Sequence, residues 1–188
     1  LNPTDLVPFL KTQDIVRWST KKGGLIAVNE TRIGSIVLKS TPIQEPDSTL
    51  VLDAITQAIA KEGKSLLNFD EKVEQWQNRI ITVKKWYPND DWPNTSTDYL
   101  LETNATWLSP YLNNINKPDD LKRIDLVDVL QYSLSAEQQT LLNELAPASI
   151  TVPSGSHIRI EYQKNGSTPI LAVRIQEIFG LKETPQVN

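Results

Sequence analysis

The sequence contains no cysteine, no methionine and only one histidine, His157, among its 188 residues. Without cysteine there are no disulfides and no thiolate metal ligands, and a single histidine cannot supply a histidine-based metal cluster. A chain without cysteine fits a reducing compartment, so we expect a cytoplasmic location. Because methionine is missing even at position 1, we expect the chain to be a piece of a longer protein or the product of processing.

Long hydrophobic runs are missing as well. No apolar stretch approaches the roughly 20 residues that a membrane helix requires, so we expect no membrane partner. The apolar content of 39% and the charged content of 22% are typical of an ordinary folded globular chain. At this length, such a chain forms one domain or two small domains packed together.

The net charge of −4 is distributed unevenly along the chain. Residues 1–40 carry six Lys and Arg against three Asp and Glu, residues 41–147 carry nine against seventeen, and residues 148–188 carry four against three. A nucleic-acid-binding protein needs a clustered basic surface, which this chain has to build from its two ends. The alternative, an ordinary surface of mixed charge, is favoured on charge alone.

Motifs of catalysis and phosphate binding are absent. Gly23 and Gly24 are not followed by the Lys-Ser/Thr pair and the helix of a P-loop. Ser156 is followed by His157, but neighbouring residues of an extended strand point to opposite faces, which excludes a nucleophile–base pair. The paired carboxylates fall at predicted helix starts and in loops, where Asp caps helices, and their spacing indicates no metal site. We therefore expect no catalytic residue, metal or cofactor in this chain.

Residues 1–41 show the pattern of an antiparallel meander. Alternation from Asp14 to Thr20 predicts a first strand, and residues 21–24 (KKGG) predict a turn. Residues 25–28 and 32–39 predict the second and third strands. Three strands are about the minimum for a stable sheet, and they still need a cover.

Residues 42–147 are predicted to form a bundle of five or six short helices. Asp47, Asp70 and Asp125 are predicted N-caps, and Ser135 with Gln138 fits a capping box. Apolar residues at steps of three and four predict the buried stripe of the second helix, which consists of Val73, Trp76, Ile80, Val83 and Tyr87. The segment 97–113 is predicted to be helical with an interruption at Pro110. Trp92, inside a polar loop, is interpreted as an anchor onto the helices, with an exposed contact as the alternative.

Residues 148–188 are predicted to form three strands and a short helix. In residues 157–162 (HIRIEY) the apolar side chains alternate with His157, Arg159 and Glu161, as in a half-buried strand. Asn165-Gly166 predicts a hairpin turn, and the apolar run 170–173 predicts a buried strand. Gly180 is the predicted C-cap of the short helix. The predicted fold class is thus α+β.

The terminal segment resembles the C-terminal region of the HrpB family of bacterial DEAH-box ATP-dependent helicases. The resemblance is carried by VPSGS at 152–156, IRIEY at 158–162, PILAVR at 169–174 and QEIFG at 176–180. Less specific similarity precedes it in the same order, in RIG at 32–34, WYP at 86–88, WLSPYL at 107–112 and LKRIDL at 121–126. The family usually has arginine where this chain has His157.

The resemblance implies a place in a larger machine. Such helicases carry two RecA-like motor domains, followed by winged-helix, helical-bundle and OB-like modules and a C-terminal extension. Residues 1–41 then correspond to the end of the OB-like module, and the rest corresponds to most of the extension. The motor domains of the parent would bind ATP and Mg²⁺ and unwind nucleic acid. This chain, which lacks the motor motifs, would be inactive alone.

Two functions stay open. In the first, the chain braces the motor domains of its parent and contacts single-stranded RNA or DNA through basic strand residues, with aromatics available for stacking. The candidate contacts are Arg17, Lys21, Lys22, Arg32, His157, Arg159 and Arg174. In the second, the chain is a protein-interaction or scaffolding domain without nucleic-acid contact, and those charges are solvated strand residues.

Overall fold

The predicted combination of helices and strands is confirmed by a computed structural model, which describes residues 10–178. The described residues pack as two units, each built from two stretches of the chain. The first unit contains residues 10–68 and 103–124, and the second contains residues 69–102 and 125–178. The division into 1–41, 42–147 and 148–188 follows the order along the chain and stays a prediction.

The first unit carries a three-stranded antiparallel sheet. Its strands are β1 (Leu10–Ser19), β2 (Gly24–Ile33) and β3 (Ile36–Pro42), in the order β1-β2-β3. The predicted turn between β1 and β2 is present as a short 3₁₀ segment, Thr20–Lys22, that ends at Gly23 with φ +94°. The predicted meander is therefore confirmed, with strands longer than the sequence pattern indicated.

The predicted third strand, residues 32–39, is wrong at its start. Arg32 and Ile33 belong to β2, and the chain reverses at Gly34 and Ser35. Gly34 adopts φ +57°, a conformation that costs glycine little, and this single residue sets the position of the turn. The pairing of β2 with β3 also shifts register between Thr31 and Arg32.

Seven α-helices lie within the described residues. They are α1 (Ser48–Glu62), α2 (Glu71–Trp86), α3 (Thr97–Glu102), α4 (Asn104–Trp107), α5 (Pro118–Lys122), α6 (Leu126–Gln131) and α7 (Ala136–Leu145). The side chains of Asp47, Asp70 and Asp125 accept hydrogen bonds from the first free N–H groups of their helices, as predicted. The capping box of Ser135 and Gln138 is also present. The predicted segment 97–113 breaks at Thr103 and again at Leu108, and Pro110 lies inside the 3₁₀ segment Ser109–Tyr111 rather than at the break.

The first unit buries its core beneath α1. Ile55 and Ile59 of α1 are fully buried together with Leu66, Leu108 and Leu121. At the C-terminal end of α1, Glu62 Oε2 accepts a hydrogen bond of 2.5 Å from Thr20 Oγ1, which itself accepts from Trp18 Nε1 at 3.0 Å. This chain of bonds ties the turn end of the sheet to the helix.

The second unit is built around α2. The predicted stripe is buried at Val73, Trp76, Ile80 and Val83, whereas Tyr87 lies past the end of the helix and is 37% exposed. Trp92 is 4% exposed, so its interpretation as an anchor is confirmed.

Polar side chains of α2 satisfy backbone groups of other elements in the second unit. Gln75 pairs with both backbone groups of Tyr162, accepting from its N–H at 2.9 Å and donating to its carbonyl at 3.1 Å. Asn78 donates to the same carbonyl at 2.9 Å. Arg79 Nε donates to the Ala146 carbonyl at 2.6 Å, just beyond α7. Because unpaired buried backbone groups are costly, these bonds hold the strands to the helix.

The second unit also contains a separate three-stranded sheet. Its strands are β4 (Ser149–Thr151), β5 (His157–Glu161) and β6 (Ile170–Leu171), with β5 in the middle. The predicted alternation in β5 is confirmed, since Ile160 and Tyr162 are buried while His157, Arg159 and Glu161 are exposed.

The prediction of a buried strand at 170–173 is wrong. Only two residues pair, and Ile170 is 50% exposed because β6 is an edge strand that pairs with β5 alone. The short helix follows as the 3₁₀ segment Ile175–Ile178, and the predicted cap at Gly180 lies outside the described residues. Within residues 10–178, no helix combines the length and apolar character needed to cross a membrane.

Stability above pH 10 is expected to depend on Tyr162. Its hydroxyl donates to the Pro147 carbonyl at 2.8 Å, and burial raises its pKa to about 12, against the opposing influence of the Arg79 charge. The unfolded chain loses this proton near pH 10, so the stabilisation is complete below pH 10 and is lost as the pH rises towards 12.

We expect Tyr162→Phe to lower the free energy of unfolding by about 1 kcal/mol at neutral pH, because the Pro147 carbonyl loses its donor. The difference between wild type and variant should shrink as the pH rises from 10 to 12. Urea unfolding followed by tryptophan fluorescence at a series of pH values measures both effects. A difference that stays constant over this range would contradict the assignment.

Candidate nucleic-acid interface

The seven predicted nucleic-acid contacts are divided between the two units. Arg17, Lys21, Lys22 and Arg32 lie in the first unit. His157, Arg159 and Arg174 lie in the second.

Three of the four cations in the first unit meet at the turn end of its sheet. Lys21 and Lys22 form the exposed turn between β1 and β2, which contains no acidic residue. Arg17 is exposed on β1, opposite Ile26 and two residues before the strand ends. These side chains are close in sequence, so the sequence was sufficient to group them.

A fourth cation is brought to this turn by a close approach of two backbones. The Leu25 N–H donates to the Asn116 carbonyl at 2.9 Å, and a Cβ on Gly24 would collide with that same oxygen. The Lys117 Cα would lie only 3.0 Å from such a Cβ. Lys117, which is exposed, therefore has its backbone against Gly24, two residues along the chain from Lys22. We call Arg17, Lys21, Lys22 and Lys117 the basic turn.

The carboxylates nearest the basic turn bond to neutral donors. Glu62 accepts from the Thr20 hydroxyl, and Asp120 accepts from the backbone N–H groups of Asn116 and Lys117 at 3.1 and 2.9 Å. These two backbone bonds are the main cause of the lowered pKa of Asp120. The ion pairs found among the described residues involve other cations, namely Arg32, Arg159 and Lys164. Arg17, Lys21 and Lys22 thus keep their charges available for an anion, whereas the charge of Lys117 also acts on Asp120, whose pKa it helps to lower.

The net charges of the two units also favour the first unit as the one that binds phosphate. Within residues 10–178, the first unit carries 11 Lys and Arg against 8 Asp and Glu, a balance of +3. The second unit carries 7 against 13, a balance of −6. A phosphate backbone is attracted to the first and repelled by the second.

Arg32 lies at the other end of the first sheet. It pairs with Lys11, six residues before Arg17 on β1, which places it about 20 Å from the Arg17 position along the strand. Its Nε forms an ion pair of 2.7 Å with Glu30, whose buried carboxylate takes up the charge. Arg32 is thus separated from the basic turn and already paired within the sheet.

In the second unit, Arg159 lies in an acidic cleft. Its guanidinium contacts Glu71 at 3.0 Å, and the neighbouring Glu74 is paired with Lys164 at 2.8 Å. The cleft has a volume of about 530 Å³, and its lining also includes Glu161 and His157. Of the three carboxylates that line the cleft, Glu71 pairs with Arg159 and Glu74 pairs with Lys164, so the arginine charge is already offset and this face is less favourable for phosphate.

His157 and Arg174 have no cationic cluster around them in the contacts seen. His157 Nδ1 lies 3.1 Å from Thr151 Oγ1 on β4. The neighbouring serines bond to each other, with Ser154 Oγ donating to Ser156 Oγ at 3.2 Å. Arg174 is exposed in the segment after β6. Contact of these residues with nucleic acid stays a prediction.

The described residues present no arrangement typical of an enzyme site. No group of three or more His, Cys, Asp and Glu residues in this part of the chain is placed to hold a metal ion. A second cleft of about 520 Å³ near the start of α1 is lined by apolar, hydroxyl and amide side chains and contains no titratable residue.

Two family models match the sequence. One, described as ATP-dependent helicase C-terminal, matches residues 107–188, and the other, described as ATP-dependent RNA helicase HrpB, connector region, matches residues 9–43. The ATP-dependent RNA helicase HrpB of Escherichia coli (strain K12) is 33% identical over 179 residues. That alignment covers 95% of this chain and 22% of the relative.

Two crystal structures of E. coli HrpB match the fold as well. One, described as a DExH-box NTPase, is 32% identical and has a TM-score of 0.73. The match covers 100% of this chain and 24% of the E. coli chain. The other, described as a DEAH/RHA helicase, is 33% identical and has a TM-score of 0.73. The match covers 95% of this chain and 23% of the E. coli chain.

These matches define a C-terminal region of a helicase. The chain belongs to the HrpB family of ATP-dependent helicases, as the resemblance of its terminal segment indicated, and it spans 22% of the length of the curated relative that it matches.

Gly24→Ala is expected to destabilise the first unit by about 2–4 kcal/mol, because its Cβ would force β2 away from Asn116 and Lys117. Gly23→Ala is the matched control. Its φ of +94° is also positive, but nothing lies within 4 Å of its Cβ, so only the backbone strain of about 1 kcal/mol applies. Chemical unfolding of both variants measures the difference, and equal losses would show that the close approach is unimportant.

Proposed function

We propose that this chain is an accessory C-terminal region of an ATP-dependent RNA helicase and that its basic turn contacts single-stranded RNA. In this proposal the rest of the chain packs on the motor domains of the same polypeptide. Those domains, outside this chain, bind ATP and Mg²⁺ and perform the unwinding. The observation that carries the proposal is the basic turn, a group of exposed cations on the unit with a positive charge balance.

The form of the basic turn favours contact with the phosphate backbone. Lysines act as mobile point charges that follow a phosphate chain without reading the bases. Trp18, the aromatic residue nearest the turn, donates its Nε1–H to Thr20 and is half-buried in the sheet. It is therefore held in place rather than offered for base stacking. Binding at this site should be largely independent of RNA sequence.

RNA is favoured over DNA because the E. coli relative is described as an RNA helicase. The OB-like character of residues 1–41 and a cytoplasmic location belong to the same proposal. An OB-like sheet presents strands and turns to a single strand, and the basic turn would be the part that does so here.

A scaffolding role without nucleic-acid contact is the second candidate. The acidic balance of the second unit favours it, since that unit repels phosphate and suits a cationic protein surface. The two functions are compatible when each is assigned to a different unit, and RNA binding by the isolated chain separates them.

We expect the 188-residue chain to bind a labelled single-stranded RNA at low salt, and Lys21→Ala/Lys22→Ala to weaken this binding. Loss of two phosphate contacts should reduce the slope of log affinity against log salt by about 1.4. The matched control is Lys84→Ala/Lys85→Ala, which removes an adjacent exposed lysine pair from the second unit. Fluorescence anisotropy at several salt concentrations measures both. No binding at low salt, or equal effects of the two double variants, would contradict the proposal.

Arg159→Ala is expected to leave RNA affinity within about twofold of wild type, because Glu71 and its acidic neighbours already offset the guanidinium charge. Stability should also change little, since an exposed ion pair contributes at most about 1 kcal/mol. The same anisotropy assay measures the affinity. A loss as large as that of the lysine double variant would move the interface to β5.

A further inference from the structure

The end of the first sheet opposite the basic turn exposes large apolar side chains. All seven residues of β3 are exposed, and Ile36, Val37 and Leu38 are exposed by 63%, 42% and 55%. Leu10, at the start of β1, is exposed by 38%. Single exposed aliphatic residues are ordinary, but a group of them in one place indicates an interaction surface.

The strand register places part of this group in one row. Leu10 pairs with Ile33, and Ile33 pairs with Ile36, so one apolar side chain from each strand lies on the same face of the sheet. The rungs that follow on this face are polar. Thr12 and Thr31 are joined by a hydrogen bond of 3.2 Å, and Asn29 donates to Asp14 at 2.7 Å. Leu38 has no partner on β2, because the register shifts there, but it is exposed close to this row in the chain. We call Leu10, Ile33, Ile36 and Leu38 the apolar end.

The strand edges beside the apolar end are also unpaired within the described residues, because β1 and β3 are the two outer strands of their sheet. Open edges of apolar strands pair readily with other chains, and folded proteins usually cover them. An apolar row with polar rungs next to it has the composition of an interface core with its rim.

The comparisons indicate where the covering surface comes from. The connector model matches residues 9–43, which are the residues of this sheet, and the helicase C-terminal model matches up to residue 188. Because the helicase C-terminal model matches the end of this chain and the chain corresponds to 22% of the relative, we infer that most of the relative's length precedes the sheet. In a full-length member of the family, the preceding polypeptide reaches β1 at Leu10, which is itself part of the apolar end.

We propose that the apolar end is a docking site for an apolar surface of the polypeptide that precedes β1 in the full-length protein. The inference rests on the proposed function insofar as it takes the chain to be part of a larger helicase, and it does not depend on RNA binding. The basic turn lies at the other end of ten-residue strands, about 30 Å away. One sheet would thus be fixed at one end to the preceding domains and carry its cations at the other.

Thiol labelling tests this directly, because the chain has no cysteine of its own. Ile36→Cys is introduced into the 188-residue chain and into a full-length protein whose other cysteines have been replaced. We expect labelling in the full-length protein to be at least about tenfold slower than in the 188-residue chain. Lys22→Cys, at the other end of the sheet, is the control and should react equally fast in both when RNA is absent.

Each result of this experiment decides the proposal. Slow labelling of Ile36→Cys in a monomeric full-length protein supports it. Equal rates in the two proteins overturn it. Protection that depends on protein concentration, and that sedimentation shows to accompany dimerisation, also overturns it, because the occupant is then a second copy of the chain.

A surface variant provides a second readout that does not rely on cysteine. Ile36→Lys/Leu38→Lys changes exposed positions, so the 188-residue chain should keep its unfolding midpoint. The full-length protein should lose stability, because the lysines meet an apolar surface there. Unchanged full-length stability would overturn the docking site. If the wild-type chain fails to bind RNA while Ile36→Cys is protected in the full-length protein, the proposed RNA contact fails and the docking site stands.

Discussion

The structure of the first unit depends on the close approach between Gly24 and the backbone of Asn116 and Lys117. A hydrogen bond from Leu25 to Asn116 joins the start of β2 to the loop before α5, and only a residue without Cβ fits there. This contact anchors the sheet at one end. It also brings Lys117 beside the lysines of the turn, so one steric constraint both holds the fold together and completes the basic turn.

Because the sheet is anchored at its turn end, its other end extends without cover among the described residues. Three strands cannot bury both faces of a sheet, and here the uncovered end is the one rich in aliphatic side chains. The second unit also contains a small sheet, but there a helix holds it in place. There, Gln75, Asn78 and Arg79 of α2 satisfy backbone groups near β5 and α7, so a sheet of very short strands is held by polar bonds to a helix.

Much of the local structure follows from short-range patterns in the sequence. The caps at Asp47 and Asp70, the buried stripe of α2 and the alternation in β5 each depend on residues within one or two turns of one another. All are confirmed, except that the stripe ends at Val83 rather than at Tyr87. The features that escaped prediction are set at long range or by position in a sheet. No local pattern shows that Glu71 pairs with Arg159, that the Lys117 backbone lies against Gly24, or that the apolar run at Ile170 forms an exposed edge.

For the candidate site, the sequence identified Arg17, Lys21 and Lys22 but neither Lys117 nor the surroundings that decide whether a charge is available. Backbone NMR shifts of the isotopically labelled 188-residue chain, titrated with single-stranded RNA at low salt, test the account most directly. The account predicts shift changes concentrated at residues 17–24 and at 116–117, with residues 157–161 unaffected. Changes centred on residues 157–161, or no changes at any salt concentration, would contradict it.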